Sequence, residues 1–194
     1  MLDKKEFKAI AKEFAEKDLV REKSIQTSRE LIKQSKKVIN AVHVGDFASA
    51  KREAKVLSAL KKKLEAVRYA SQHENDHRTT AFQEYVEALA YLSFAEKRRV
   101  PSRKQLRVDT ENYVTGLCDM TGELIRKSLN EIMEGRYDFA VDSKKLIDEL
   151  HRNLSEMYLA GEFRKKADMV RWNLGKIEDI LFTARMRGCS QIPE

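Results

Sequence analysis

The stretch His73-Glu-Asn-Asp-His-Arg-Thr-Thr-Ala-Phe-Gln-Glu-Tyr-Val-Glu-Ala88 decides the fold. At the helical turn of about 100° per residue, the apolar side chains in and just after it share one broad arc: Phe82, Tyr85, Val86, Leu89 and Leu92. A narrow stripe on the other side collects polar groups: His73, His77, Thr80, Glu84, Glu87 and Tyr91. Because residues three apart project together from a helix, the stretch predicts an amphipathic helix that presents two neighbouring carboxylates.

A second helical pattern, over residues 112–134, shows the same division. One side is apolar: Leu117, Met120, Leu124 and Ile132. The other side is polar or small: Gly116, Asp119, Glu123, Arg126 and Asn130. If the two polar stripes face each other, four carboxylates converge: Glu84, Glu87, Asp119 and Glu123. Such a cluster is stable only when it is protonated, paired with cations or holding a metal ion, and we predict a metal site.

The predicted ligands favour a hard divalent cation, Mg²⁺ or Mn²⁺, because such ions prefer carboxylate oxygens and retain waters. The cation would activate a water and neutralise charge on a phosphoryl group. Gly116 and Gly122, on or beside the stripe, are expected to leave room for a substrate backbone. Arg126 is placed either to contact a phosphate or to pair with Glu123. The Glu-x-x-Glu spacing alone is a weak indication, since it arises readily by chance in acidic helices.

Length and composition predict one all-α domain over residues 1–194. The chain has 7 Gly and 2 Pro, and 36% of its residues are charged, which is typical of long amphipathic helices. We expect about six antiparallel helices joined by short loops. The first two predicted helices span residues 4–43 and 47–70, and the third begins between residues 71 and 76 and reaches residue 97. The fourth is capped at Asp109 or Thr110 and ended by Gly135, and the last two span residues 139–159 and 162–187. Residues 98–107 are expected to form an irregular basic connector.

Charge separates the chain into two parts. Residues 1–68 hold 18 Lys and Arg against 10 Asp and Glu, whereas residues 73–194 hold the carboxylate cluster in a nearly neutral body. Four cations follow one face of the first helix: Arg29, Lys33, Lys36 and Lys37. We interpret this row as a candidate track for a phosphate backbone, with an ordinary solvated helix face as the alternative.

Cysteine usage and hydropathy indicate the compartment. Cys118 and Cys189 are too few for a disulfide framework, which points to a reducing interior. No apolar run is long enough to span a bilayer, and no secretory signal is present. We therefore expect a soluble, cytoplasmic protein without membrane attachment.

Other motifs in the sequence are weaker candidates for a functional site. Glu74-x-x-His77 has the spacing of a di-iron ligand pair, but that architecture needs a second pair, and Asp148-x-x-His151 is a poor one. We interpret His43 and His151 as ordinary helix residues and Cys118 as small core filler. The sequence contains no glycine-rich phosphate loop and no Ser/His/Asp arrangement.

Several segments resemble translin-associated factor X of the translin family. The resemblance runs from about Arg21 to Pro193, and these segments carry it: Ser28-Arg29, Ser35-Lys36-Lys37 with His43, His77-Arg78-Thr79-Thr80, Gln83-Glu-Tyr-Val-Glu-Ala88, Tyr113-Val-Thr-Gly-Leu-Cys-Asp-Met-Thr-Gly-Glu-Leu124, Arg187-Gly188 and Ile192-Pro193. The resemblance implies an all-α fold in a closed homo-oligomer, often an octamer, with nucleic acid bound inside. It also implies a Mg²⁺-dependent endoribonuclease, because the acids that plain translin lacks are present here: Glu84, Glu87, Asp119 and Glu123. The short connector is similar to a compact, archaeal-like form.

Three functional hypotheses follow. The first is a Mg²⁺-dependent or Mn²⁺-dependent endoribonuclease acting on single-stranded RNA, since a flexible strand can bend into a recessed site. Its predicted nucleic-acid contacts are Arg29, Lys33, Lys36, Lys37, His73, His77, Arg78 and Arg126. The second is a non-catalytic scaffold for single-stranded DNA or RNA, like plain translin. The third and weaker hypothesis is an all-α nucleotide pyrophosphatase, a class that also uses Glu-x-x-Glu.

Overall fold

The computed structural model describes residues 3–67 and 75–186, and over these ranges the chain forms helices and no strand. The helices are α1 Lys4–His43, α2 Phe47–Glu65, α3 Asn75–Lys97, α4 Arg103–Leu106, α5 Thr110–Met133, α6 Asp138–Ser155 and α7 Gly161–Met186. The predicted all-α class is confirmed. No helix in the described residues is both long and apolar enough to cross a membrane.

Local capping sets most helix boundaries where the sequence predicts them. Carboxylates at Asp3, Asp46 and Asp109 accept hydrogen bonds from backbone N–H groups in the first turns of α1, α2 and α5, which satisfies donors that a helix leaves unpaired. Gly45 and Gly135 follow α1 and α5 with φ values of +77° and +78°. Glycine favours this left-handed backbone because it has no Cβ, so both helices end there.

Three predicted boundaries or segments are wrong. Helix α2 ends at Glu65 rather than residue 70, and the Val67 carbonyl instead accepts a hydrogen bond from the Arg78 guanidinium at 3.2 Å. Helix α6 ends at Ser155 rather than residue 159, and the apolar side chains that suggested its extension are exposed, with Tyr158 fully so. The connector is not wholly irregular, because Ser102 and Gln105 form a reciprocal capping box that starts α4.

Helices α3 and α5 lie at the centre of the packing. Helix α3 packs against α1 on one side and α5 on the other, while α5 also packs against α6 and α7. The largest fully buried side chains come from all the long helices: Tyr91, Leu31, Leu57, Leu64, Met120, Leu124, Ile147, Ile177, Val38, Val42, Val86 and Val170. Cys118 is fully buried, as expected for core filler. The two helices that carry the predicted acids, α3 and α5, therefore pack directly against each other.

The first part of α1 projects away from this core. Residues 4–19 are all exposed, and they include four large apolar side chains, Phe7, Ile10, Phe14 and Leu19. The second half of α1 is different, because Leu31, Val38 and Val42 are fully buried. One helix thus serves both as core element and as an extended arm.

Candidate metal and nucleic-acid site

Close packing of α3 on α5 brings the predicted acids together. Gly116 makes this approach possible, because a Cβ at that position would lie 2.6 Å from the Gln83 carbonyl oxygen and 2.7 Å from Val86 Cβ. The expectation that Gly116 leaves room for substrate is therefore wrong: its missing side chain admits a neighbouring helix. Gly122 does face open space, with no atom within 4 Å of a built Cβ.

The four carboxylates interact electrostatically, because the charges of Asp119 and Glu123 act on the pKa values of both Glu84 and Glu87. Burial, together with the charges of Glu84, Asp119 and Glu123, raises the pKa of Glu87 to about 8. Burial also raises the pKa of Glu84; the nearby Lys36 charge opposes the shift, and Asp119 and Glu123 add to it. Like charges at short range destabilise the ionised form, so the cluster favours binding of a proton or a cation.

Asp119 has a cationic partner that the sequence did not suggest. The Lys166 ammonium of α7 pairs with the Asp119 carboxylate. The two side chains are 32% and 24% exposed, so the pair lies at the edge of the cluster that faces solvent. No periodicity within α7 relates Lys166 to a residue 47 positions earlier, and only the packing of α7 on α5 reveals the contact.

Glu123 is held by His43 at the end of α1. Nε2 of His43 hydrogen-bonds the Glu123 carboxylate, and the hydroxyl of the buried Tyr91 lies 3.1 Å from Nδ1. The hydrogen bond from His43 lowers the pKa of Glu123, against the opposing effect of burial. The interpretation of His43 as an ordinary helix residue is wrong. The signal that could have identified it was its presence among the residues that carry the family resemblance.

The donors suit a hard cation, although they are not arranged as a finished ligand set. Carboxylate oxygens are the ligands that Mg²⁺ and Mn²⁺ prefer, and α3 and α5 supply four such groups. Within residues 3–67 and 75–186, however, no three His, Cys, Asp or Glu side chains are placed together as a metal site. Asp119 instead pairs with Lys166, and Glu123 pairs with His43.

The cation row lies exposed along the second half of α1. Its members are Arg29, Lys33, Lys36 and Lys37. In the described part of the chain, none of them forms an ion pair. Burial raises the pKa of Glu84 and the Lys36 charge opposes that rise, so the row acts on the acidic cluster.

The other predicted nucleic-acid contacts differ in their accessibility. His77 and Arg126 are exposed, and Arg126 Nη1 lies 3.9 Å from Glu123 Oε2. Arg78 is buried, donates to the Val67 carbonyl and lies over the Phe82 ring. We therefore correct its interpretation from nucleic-acid contact to packing. His73 and Glu74 lie outside the described residues, as do Cys189 and the closing segment over 187–194.

Comparison with known proteins identifies the family of this all-α chain. The Translin family profile matches residues 19–188, and the chain belongs to the translin family. It is similar to translin-associated protein X of Pongo abelii, with 24% identity over 97% of this chain and 80% of that protein. The family predicted from the sequence is confirmed.

Two solved structures share the fold. One, described as apo-NeC3PO, superposes with a TM-score of 0.86 at 26% identity and covers 95% of this chain and 98% of that chain. The other, an AfC3PO complex with duplex RNA, has a TM-score of 0.85 at 22% identity and covers 96% of this chain and 100% of that chain. The helical arrangement described above is therefore shared with the chains of these two structures.

Proposed function

We propose that this protein is a divalent-cation-dependent endoribonuclease that acts on single-stranded RNA. One observation carries the proposal: the carboxylates of α3 and α5 interact electrostatically, because the charges of Asp119 and Glu123 act on both Glu84 and Glu87, and Lys36 of the exposed cation row acts on Glu84. The solved structure of AfC3PO with duplex RNA supports nucleic acid as the ligand of this fold.

In this proposal Glu84, Glu87, Asp119 and Glu123 hold Mg²⁺ or Mn²⁺. The bound cation would lower the pKa of a water and neutralise charge on the phosphoryl group. The residues of the chain bind and orient the reactants around it. The exposed cations of α1 hold the RNA backbone through its phosphates, and His43, fixed by the buried Tyr91, keeps the Glu123 carboxylate in one orientation.

The proposed reaction is hydrolysis of a phosphodiester. The water oxygen forms a new bond to phosphorus as the bond from phosphorus to the leaving ribose oxygen breaks. The water loses a proton, and the leaving oxygen takes one up. A flexible single strand places a phosphate at the recessed acids more easily than a stiff duplex, which is why single-stranded RNA is the proposed substrate.

The assembly proposed for this chain is a closed homo-oligomer, with an octamer as the expected size. The exposed apolar side chains of the α1 arm support self-association, because large apolar residues on a projecting helix gain stability when a second surface covers them. DNA is a further possible ligand, because a phosphate-binding row does not by itself distinguish the two nucleic acids.

The defining experiment follows cleavage of labelled RNA. The protein should cut single-stranded RNA internally when Mg²⁺ or Mn²⁺ is present and should stop when EDTA removes the cation. Duplex RNA and single-stranded DNA of the same sequence should be cut more slowly. An uncut strand under all cation conditions would contradict the nuclease, and release of pyrophosphate from free nucleoside triphosphates would favour the pyrophosphatase instead.

Removing charge from the cation row should weaken RNA binding. We expect the double change Lys33→Ala with Lys37→Ala to lower the salt dependence of binding, by about 0.7 in the slope of log K against log[salt] for each lost phosphate contact. A matched control removes Lys55 and Lys62 of α2, which are also exposed. Filter binding in EDTA across a salt series measures both. Equal effects of the two pairs would refute the row as the binding track.

A second candidate function has an observation in its favour. Asp119 and Glu123 are paired with Lys166 and His43, as expected if the acids are structural partners in a non-catalytic scaffold for DNA or RNA. In that case binding should fall with salt, while removal of divalent cations should change neither binding nor the integrity of the RNA. The cation dependence of cleavage separates the two functions.

A further inference from the structure

Lys166 is a charged group beside the acidic cluster, and it has no role in the proposed metal site. It lies on α7, whereas the four acids lie on α3 and α5. Its ammonium pairs with Asp119, and its charge lowers the pKa values of both Glu84 and Glu87. A single cation thus acts on three of the four carboxylates.

The position of Lys166 conflicts with a divalent cation bound at the same carboxylate. A metal ion on Asp119 would take over the oxygen that Lys166 contacts, and the two positive charges would repel each other. Lys166 can respond without movement of the backbone, because its ammonium sits on a flexible four-carbon stem and its side chain is 32% exposed. Release from Asp119 therefore requires only a change of side-chain conformation.

A phosphate is the partner that the released ammonium would meet. RNA held at the four acids would place a phosphate close to them, and Lys166 directly contacts one of these acids, Asp119. Glu162, one turn before Lys166 on α7, is also near, but it already pairs with Lys165 at 2.6 Å. A positive group aimed at the charge that develops on a reacting phosphoryl group stabilises the transition state.

We propose that Lys166 exchanges partners during catalysis: it pairs with Asp119 in the metal-free protein and contacts the scissile phosphate once cation and RNA are bound. This inference rests on the proposed nuclease function. It assigns Lys166 as a catalytic residue in addition to the four acids. It also explains how the cluster is stabilised without a metal ion, because the Lys166 ammonium neutralises part of the negative charge that a bound cation would neutralise.

The test compares Lys166→Gln with the wild type in two separate measurements. The first is Mn²⁺ binding without RNA, followed by the electron paramagnetic resonance signal of free Mn²⁺. We expect the variant to bind Mn²⁺ about tenfold more tightly, because a competing positive charge is gone. The second is kcat for cleavage of labelled single-stranded RNA at saturating Mg²⁺, which we expect to fall about a hundredfold.

Opposite signs of the two effects distinguish this role from a structural one. Loss of a merely structural ion pair would weaken or leave unchanged both metal binding and cleavage. The neighbouring Lys165→Ala is the matched control, since Lys165 is exposed and pairs with Glu162 instead, and neither measurement should change. Lys166→Arg keeps the charge and should bind Mn²⁺ as the wild type does while losing less activity than Lys166→Gln.

Each outcome counts for or against the exchange. Tighter Mn²⁺ binding with slower cleavage in Lys166→Gln supports it. Unchanged or weaker Mn²⁺ binding, or unchanged cleavage, overturns it while leaving an active wild type as evidence for the nuclease. A wild type that binds no Mn²⁺ and cuts no RNA overturns both proposals. If Lys166→Gln unfolds, the Lys166→Arg variant decides, because a drop in its Mn²⁺ affinity would contradict competition by charge.

Discussion

Glu87→Gln should lower RNA cleavage on the order of a hundredfold and, in the absence of metal, make the protein more stable above neutral pH. The first effect follows from the loss of a charged ligand for the cation that activates water. The second follows from burial and the neighbouring carboxylates, which together raise the pKa of Glu87 to about 8. A neutral amide of the same shape avoids the cost of ionising that carboxyl inside the cluster.

The sign of the stability effect follows from proton linkage. Because the pKa of Glu87 is about 8 in the folded protein and near 4.5 in an unfolded chain, the folded state binds more protons between these values. Stability of the metal-free wild type should therefore fall as pH rises through this window. The contribution of Glu87 is neutral below pH 4.5 and most unfavourable above pH 8, and Glu87→Gln removes it.

Urea unfolding with EDTA at pH 5 and pH 8.5 measures this effect. Wild type and Glu87→Gln should have similar unfolding free energies at pH 5, and the variant should be more stable by about 2 kcal/mol at pH 8.5. Added Mg²⁺ should reduce the difference in unfolding free energy between the two proteins, because it should stabilise only the wild type. Glu149→Gln on the exposed face of α6 is the control and should follow the wild type. Parallel pH profiles for all three proteins would show that Glu87 ionises freely.

Gly116→Ala should destabilise the protein and damage the acidic cluster at the same time. The added Cβ would lie 2.6 Å from a backbone carbonyl of α3, at Gln83. A backbone atom cannot turn aside as a side chain can, so the two helices must separate. Overpacking of this kind costs about 1–3 kcal/mol. Separation of α3 from α5 also moves Glu84 and Glu87 away from Asp119 and Glu123, and Mn²⁺ affinity should fall.

Gly122→Ala is the matched control on the same helix. A Cβ at Gly122 would meet no atom within 4 Å, and alanine has the higher helix propensity, by about 1 kcal/mol. In urea unfolding, Gly122→Ala should be as stable as the wild type or slightly more stable, whereas Gly116→Ala should be less stable. Mn²⁺ binding should be retained in Gly122→Ala and lost in Gly116→Ala. Equal stability of the two variants would mean that α3 and α5 do not approach as closely as described.

Local sequence patterns were sufficient for most of the helices. Asp3, Asp46 and Asp109 cap helices because a short carboxylate reaches N–H groups two or three residues away, and Gly45 ends α1 through its own backbone freedom. The end of α2 was missed, since the contact between Val67 and Arg78 joins the segment after α2 to α3. Helix caps act within one turn of the chain and can be identified from the sequence. The contact between Val67 and Arg78 depends on where α3 lies.

The acidic cluster shows the same division. Helical periodicity by itself predicted that Glu84 and Glu87 share one helix face, and that Asp119 and Glu123 share another, because the spacing of residues on one helix follows from its pitch. The partners of these acids were decided only by tertiary structure: Lys166 reaches Asp119 from α7, and His43 reaches Glu123 from α1. Gly116, too, acquires its role from the surface of α3. Contacts between distant segments depend on how whole helices pack, and no short-range pattern encodes which side chains will meet.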